Sequence, residues 1–70
     1  MNRLEIVDFF NKEINGIKVK RLFNLSAFEK AAEIPKQMLT RVLNGNAKLY
    51  YLTDDNCQKI TELLTKIINK

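Results

Sequence analysis

Pro35 and Gly45 bracket a stretch of chain whose residue order suits a short helix with two faces of opposite character. The stretch reads Ile34-Pro35-Lys36-Gln37-Met38-Leu39-Thr40-Arg41-Val42-Leu43-Asn44-Gly45. At about 100° per residue, Met38, Leu39, Val42 and Leu43 gather on one side. Lys36, Gln37, Thr40, Arg41 and Asn44 fill the opposite arc with no apolar interruption. The spacing predicts a helix that starts at Lys36 and stops at Asn44-Gly45. Its outward arc offers the side-chain types that read base edges and phosphates.

The rest of the chain has to supply a core for that helix. Seventy residues are expected to make one domain over 1–70, with a marginal core that uses most of the apolar side chains. Gly and Pro are few and aliphatic residues plentiful, which favours a folded globule over a disordered tail. Asp8 interrupts the first apolar run, and no apolar stretch approaches the length of a membrane span. A soluble, cytoplasmic protein is the expectation.

Catalytic chemistry finds little footing. Cys57 is the one cysteine and histidine is absent, so neither an internal disulfide nor a Cys/His zinc site can form. Ser26 is the one serine, which excludes a Ser/His/Asp triad. No pair of carboxylates stands in a recognisable catalytic context. The chain is not expected to be an enzyme, to carry a cofactor or metal, or to act on a small-molecule substrate.

Charge points elsewhere. The formal charge is +4, and residues 1–17 and 49–70 contribute none of the excess. It comes from residues 18–48, where Lys18, Lys20, Arg21, Lys30, Lys36, Arg41 and Lys48 face only Glu29 and Glu33. Positive charge gathered around one polar helix face is the footprint of a polyanion partner.

Four main helices with short connections are expected. The first runs over about 2–13, with Leu4, Ile6, Val7, Phe10 and Ile14 on its buried side. Phe9 is off that stripe, as a peripheral contact or part of a partner surface. Asn15-Gly16 breaks the helix. Residues 17–25 suit either a short strand, through alternating Ile17, Lys18, Val19 and Lys20, or a helical turn; they read as an extended or partly helical connector anchored to the core.

Ser26-Ala27-Phe28-Glu29 has the form of a capping box, with Ser26 as N-cap and Glu29 reaching back. That second helix is expected to bury Phe28, Ala31 and Ala32 and to end near Glu33. A loop over 46–52 precedes a last helix capped by Thr53, with Asp54 and Asp55 in its first turn. The last helix runs to the end of the chain and buries Cys57, Ile60, Leu63, Leu64, Ile67 and Ile68. Cys57 reads as a small buried hydrophobe.

Ser26 to Gly45 thus reads as helix, tight turn, helix and an Asn-Gly stop. This resembles the helix-turn-helix of lambda-type phage repressors and the wider Xre family of bacterial regulators. Ile34 stands at the family's hydrophobic turn position, Leu39 and Val42 at the two apolar positions of its second helix, and Asn44-Gly45 at its terminal pair. The resemblance covers roughly residues 26–68. The chain departs from the family at Glu33, where Gly is usual, and at Glu29, where Ala is usual.

The resemblance implies an all-α, four- to five-helix lambda-repressor-like domain. It implies a transcriptional regulator that binds double-stranded DNA, with a possible homodimer. Base contacts would come from Lys36, Gln37, Thr40 and Arg41. Arg41 suits guanine, Gln37 suits adenine, and Thr40 suits a thymine methyl or a phosphate. Ser26, Asn44, Asn46 and Lys48 would hold phosphate, and Lys18, Lys20 and Arg21 could extend that footprint. Tyr50 and Tyr51 fit three roles: phosphate contact, cover for the core, or a dimer contact. A second functional class stays open, a protein-interaction module of antitoxin or anti-repressor type that keeps the fold without specific DNA binding.

Overall fold

The computed structural model describes residues 1–68. It is a small, mostly helical domain of four helices and a two-stranded hairpin. The chain order is α1 (Arg3–Asn11), β1 (Glu13–Ile14), β2 (Ile17–Lys18), a 3-10 turn (Val19–Leu22), α2 (Leu25–Ala32), α3 (Met38–Leu43), a second 3-10 turn (Leu49–Tyr51) and α4 (Asp54–Ile68). No helix is long and apolar enough to cross a membrane among the described residues. The expected last turn at 69–70 lies outside them.

Helix α1 opens with a full capping box. The Asn2 side chain accepts from the Glu5 N–H, and the Glu5 carboxylate accepts from the Asn2 N–H, each at 2.9 Å. It ends two residues earlier than the periodicity suggests, because Glu13 and Ile14 leave the helix to pair with Lys18 and Ile17. Asn15 and Gly16 both take positive φ, at 52° and 82°, as a type I′ hairpin turn requires. The break at Asn15-Gly16 is therefore a reversal, and the start of the connector is a strand with a partner. Glu13 opposes Lys18 across the hairpin, a favourable charge pair. The Val19 N–H then donates to the Lys12 carbonyl at 2.8 Å, carrying the chain from the hairpin into the 3-10 turn.

The core is an aromatic cluster walled by aliphatics. Phe10 of α1, Phe23 after the first 3-10 turn and Phe28 of α2 meet edge to face, with centroids 5.4–5.6 Å apart. Phe9 stacks edge-on to Phe10 at 5.1 Å and is half-buried, so it is a peripheral core contact. Around them lie Ile6, Val19, Ile34, Leu39, Leu52, Ile60 and Leu64, all buried. Helix α4 packs on α1 and α2, and α3 on α1 and α2.

Several apolar residues expected in that core are outside it. Leu4, Ile14, Ile67 and Ile68 are exposed, and so is Ala31. Leu4 lies at the N-terminal end of α1, Ile14 has left that helix for β1, and Ile67 and Ile68 lie beyond Leu64, the last buried residue of α4. Asn56 is buried instead, with its Nδ2 donating to the Met38 sulfur at 2.9 Å. Thr53 caps α4 as expected, its hydroxyl accepting from the Asn56 N–H at 3.2 Å.

Candidate nucleic-acid interface

The N-cap of helix α2 lies two residues before the expected one. Asn24 takes that place, its Oδ1 accepting from the Ala27 N–H at 3.1 Å. Ser26 consequently sits exposed inside the first turn, and the Ser26–Glu29 capping box does not form. Asn24 wins because its own side chain already serves a free N–H of that turn.

Glu29 is released for another task. It is 2% exposed, and its carboxylate crosses from α2 to the start of α3. Oε1 accepts from the Gln37 N–H at 2.9 Å; Oε2 accepts from the Thr40 N–H at 3.0 Å and from the Thr40 hydroxyl at 3.2 Å. Two unpaired donors at the start of α3 are thereby satisfied by an anion, which the helix dipole also favours there. The turn and both helices are tied at one point.

The turn itself is a Schellman motif. Ile34 N–H returns to the Glu29 carbonyl at 3.1 Å and Glu33 N–H to the Lys30 carbonyl at 3.2 Å. Glu33 takes the left-handed conformation, φ 59° and ψ 40°, which glycine adopts without strain. The strain of a β-carbon there is about 1 kcal/mol. Lys59 reaches across from α4 to donate to the Glu33 carbonyl at 3.4 Å.

Gln37 is left-handed too, with φ 66°. Helix α3 therefore starts at Met38, and Lys36 and Gln37 precede it in the turn. The expected helix start at Lys36 is corrected by the backbone reversal that brings the Gln37 N–H to Glu29. Leu39, Val42 and Leu43 are buried, Met38 is half-buried, and Arg41 and Asn44 are exposed, as the two-faced pattern predicts. A second Schellman motif ends the helix, with Asn46 N–H to the Arg41 carbonyl at 2.8 Å and Gly45 N–H to the Val42 carbonyl at 3.2 Å.

Three of the expected contact residues come together. A cleft of about 390 Å³ is lined by Lys36, Arg41 and Asn46, with Pro35, Met38, Ala47 and Tyr51 between them. Lys36 also borders a neighbouring cleft of about 340 Å³, shared with Ser26, Glu29, Lys30 and Ile34. Lys36 is thus the hinge between the two hollows. Gln37 and Lys48 are exposed but line neither. The Thr40 hydroxyl is committed to Glu29, which removes it as a donor to a base or phosphate. The Asn44 Oδ1 accepts from Lys20 Nζ at 3.2 Å, and the same ammonium donates to the Leu43 carbonyl at 3.2 Å. Lys20 closes the C-terminal end of α3, where a cation is favoured by the dipole.

Lys30, given no contact role by the sequence, and Tyr51 also border the clefts. Lys30 sits one turn after Ser26, a spacing legible once α2 is placed. Tyr51 is 51% exposed and packs on Tyr50 at 4.9 Å, so neither ring covers the core. No group of three or more His, Cys, Asp or Glu side chains capable of holding a metal ion occurs among the described residues.

No protein-family model matches the chain, and no curated protein or solved structure matches it.

Proposed function

We propose that this protein binds double-stranded DNA with sequence preference, as a lambda-repressor-like helix-turn-helix domain of a small transcriptional regulator. The observation that carries the reading is the Glu29 clamp. It fixes α2, the turn and α3 as one unit from which Arg41 projects, in the part of the chain that holds the excess positive charge. A rigid short helix flanked by cations suits the major groove, about 12 Å wide.

Arg41 reads a guanine edge, and Gln37 contacts a base from the turn. Lys36 and Lys48 hold phosphates along the two sides, giving affinity through counterion release, and Asn46 and Ser26 add neutral hydrogen bonds to phosphate. The helix α3 dipole is not available to a phosphate, because the Glu29 carboxylate fills that end. Lys20 and Asn44 serve mainly to finish α3. The protein works in the cytoplasm, alone or as a homodimer on a two-fold site.

A second reading rests on Tyr50 and Tyr51, 62% and 51% exposed, with their rings in tilted contact at 4.9 Å. An exposed aromatic pair is the kind of anchor a protein partner uses. Binding-site selection from a random duplex pool separates the two. Enrichment of a common sequence supports DNA reading; an unenriched pool after repeated rounds contradicts it and favours the protein-interaction module.

A further inference from the structure

The cleft beside Arg41 has a composition that phosphate contact does not explain. Pro35, Met38, Ala47 and the Tyr51 ring supply apolar surface between Lys36, Arg41 and Asn46. Met38, at the edge of the buried face of α3, and Arg41, one turn later on the exposed face, both border the cleft. Met38 is held by the Asn56 amide behind it, at 2.9 Å. The hydrogen bond from the Asn46 N–H to the Arg41 carbonyl, at 2.8 Å, folds the following loop back so that Ala47 lies alongside. Tyr51 completes the wall.

Lys36, Arg41 and Asn46 can each give a phosphate a donor, whereas Pro35, Met38 and Ala47 give none, so phosphate leaves the apolar part of the wall unmatched. An apolar group on a groove edge fits better. In the major groove one such group exists, the C5 methyl of thymine or 5-methylcytosine. Guanine offers its N7 and O6 to an arginine one step along the same strand. The guanidinium and the apolar hollow next to it therefore match a methylated pyrimidine followed by a guanine.

We propose that this cleft receives the C5 methyl of a pyrimidine lying directly 5′ to the guanine read by Arg41, so that preferred sites contain a 5′-TG-3′ step. The proposal rests on the reading that α3 enters the major groove. It adds a specificity element, made by Met38, Ala47 and Tyr51, to a site otherwise described by its polar groups.

Uracil replaces thymine with loss of that methyl and nothing else. The test takes the duplex enriched from a random pool and exchanges each thymine for uracil in turn, with affinity read by fluorescence anisotropy. Uracil at the position 5′ to the guanine is expected to weaken binding on the order of fivefold, the worth of one buried methyl. Cytosine there binds more weakly than 5-methylcytosine. Tyr51→Ala removes a half-exposed ring, and in that variant the preference for thymine over uracil falls below twofold.

Equal binding of the thymine and uracil duplexes, with sequence preference intact, overturns the methyl cleft and leaves DNA reading standing. Full discrimination retained in Tyr51→Ala overturns the cleft as its source. Failure to enrich any duplex overturns the DNA reading and this proposal together.

Discussion

Glu29 and Thr40 lie on different helices, yet the Glu29 carboxylate accepts both the backbone N–H and the hydroxyl of Thr40, at 3.0 and 3.2 Å. This contact sets the angle at which α3 leaves the turn. It also explains a buried carboxylate in a domain with little core to spare. The charge is met by three donors, so its desolvation is offset by charge-assisted hydrogen bonds.

Removing that carboxylate strands buried donors. Glu29→Ala is expected to lower stability by about 3 kcal/mol, Glu29→Gln by about 2, and Thr40→Val by about 1. For a domain of this size each kcal/mol moves the midpoint by roughly 4–8 °C. Thermal unfolding followed by circular dichroism checks the order. A Glu29→Gln protein as stable as the native one would remove the clamp from the account.

Glu33 carries strain where the left-handed turn suits glycine. Glu33→Gly is expected to stabilise the fold by about 0.5–1 kcal/mol, since relief of the β-carbon clash outweighs the extra freedom of the unfolded chain. Glu33→Ala keeps the clash and gains nothing. Urea midpoints for the two variants decide the matter, and equal midpoints contradict the strain.

The legible parts of this structure are those where one side chain has one task. Leu39, Val42 and Leu43 fall on the buried face, Gly45 ends α3, and Thr53 caps α4, all from spacing alone. Legibility fails where a residue serves a distant element. Glu29 reads as half of a local capping box because its partners, Gln37 and Thr40, become neighbours only after the turn is made. Asn24 then caps α2 in place of Ser26. Lys36 and Gln37 leave the helix because the same carboxylate draws in the Gln37 N–H. At Asn15-Gly16 the turn pair is present and Ile17 and Lys18 alternate as a strand does, but Glu13 and Ile14 also continue the helical stripe of α1, which hides the partner strand.

Burial raises the Cys57 thiol pKa above its ordinary value, with the Arg3 charge pulling the other way and Asp54 adding to the rise. The folded state therefore holds this proton more tightly than the unfolded chain does. The contribution to stability is fully present below the unfolded thiol value of about 8.5 and is lost as pH rises through it toward the folded value. Urea midpoints between pH 7.5 and pH 10, compared with those of Cys57→Ala, should show a steeper decline in the native protein. Parallel declines contradict the shift. Alkylation of the thiol in the native fold should be slow and become fast on unfolding.

Arg41 and Lys48 separate readout from attraction. Arg41→Ala should lose about 1–3 kcal/mol on the preferred duplex and relax preference at one base pair. Lys48→Ala should weaken every duplex alike and reduce the salt slope by about 1. Anisotropy on the preferred and a scrambled duplex reads both. Equal loss on the two duplexes for Arg41→Ala would reassign that residue to phosphate.

The proposed encounter is a sequence-dependent one between the Arg41 face and duplex DNA. It is tested most directly by titrating the native protein against the selected duplex and its scrambled counterpart at about 50 and 200 mM salt. With about two cationic phosphate contacts, Lys36 and Lys48, affinity for both should fall on the order of tenfold between the two conditions, while the selected duplex keeps its advantage at each. No salt-dependent binding to either duplex at micromolar protein would contradict such an encounter.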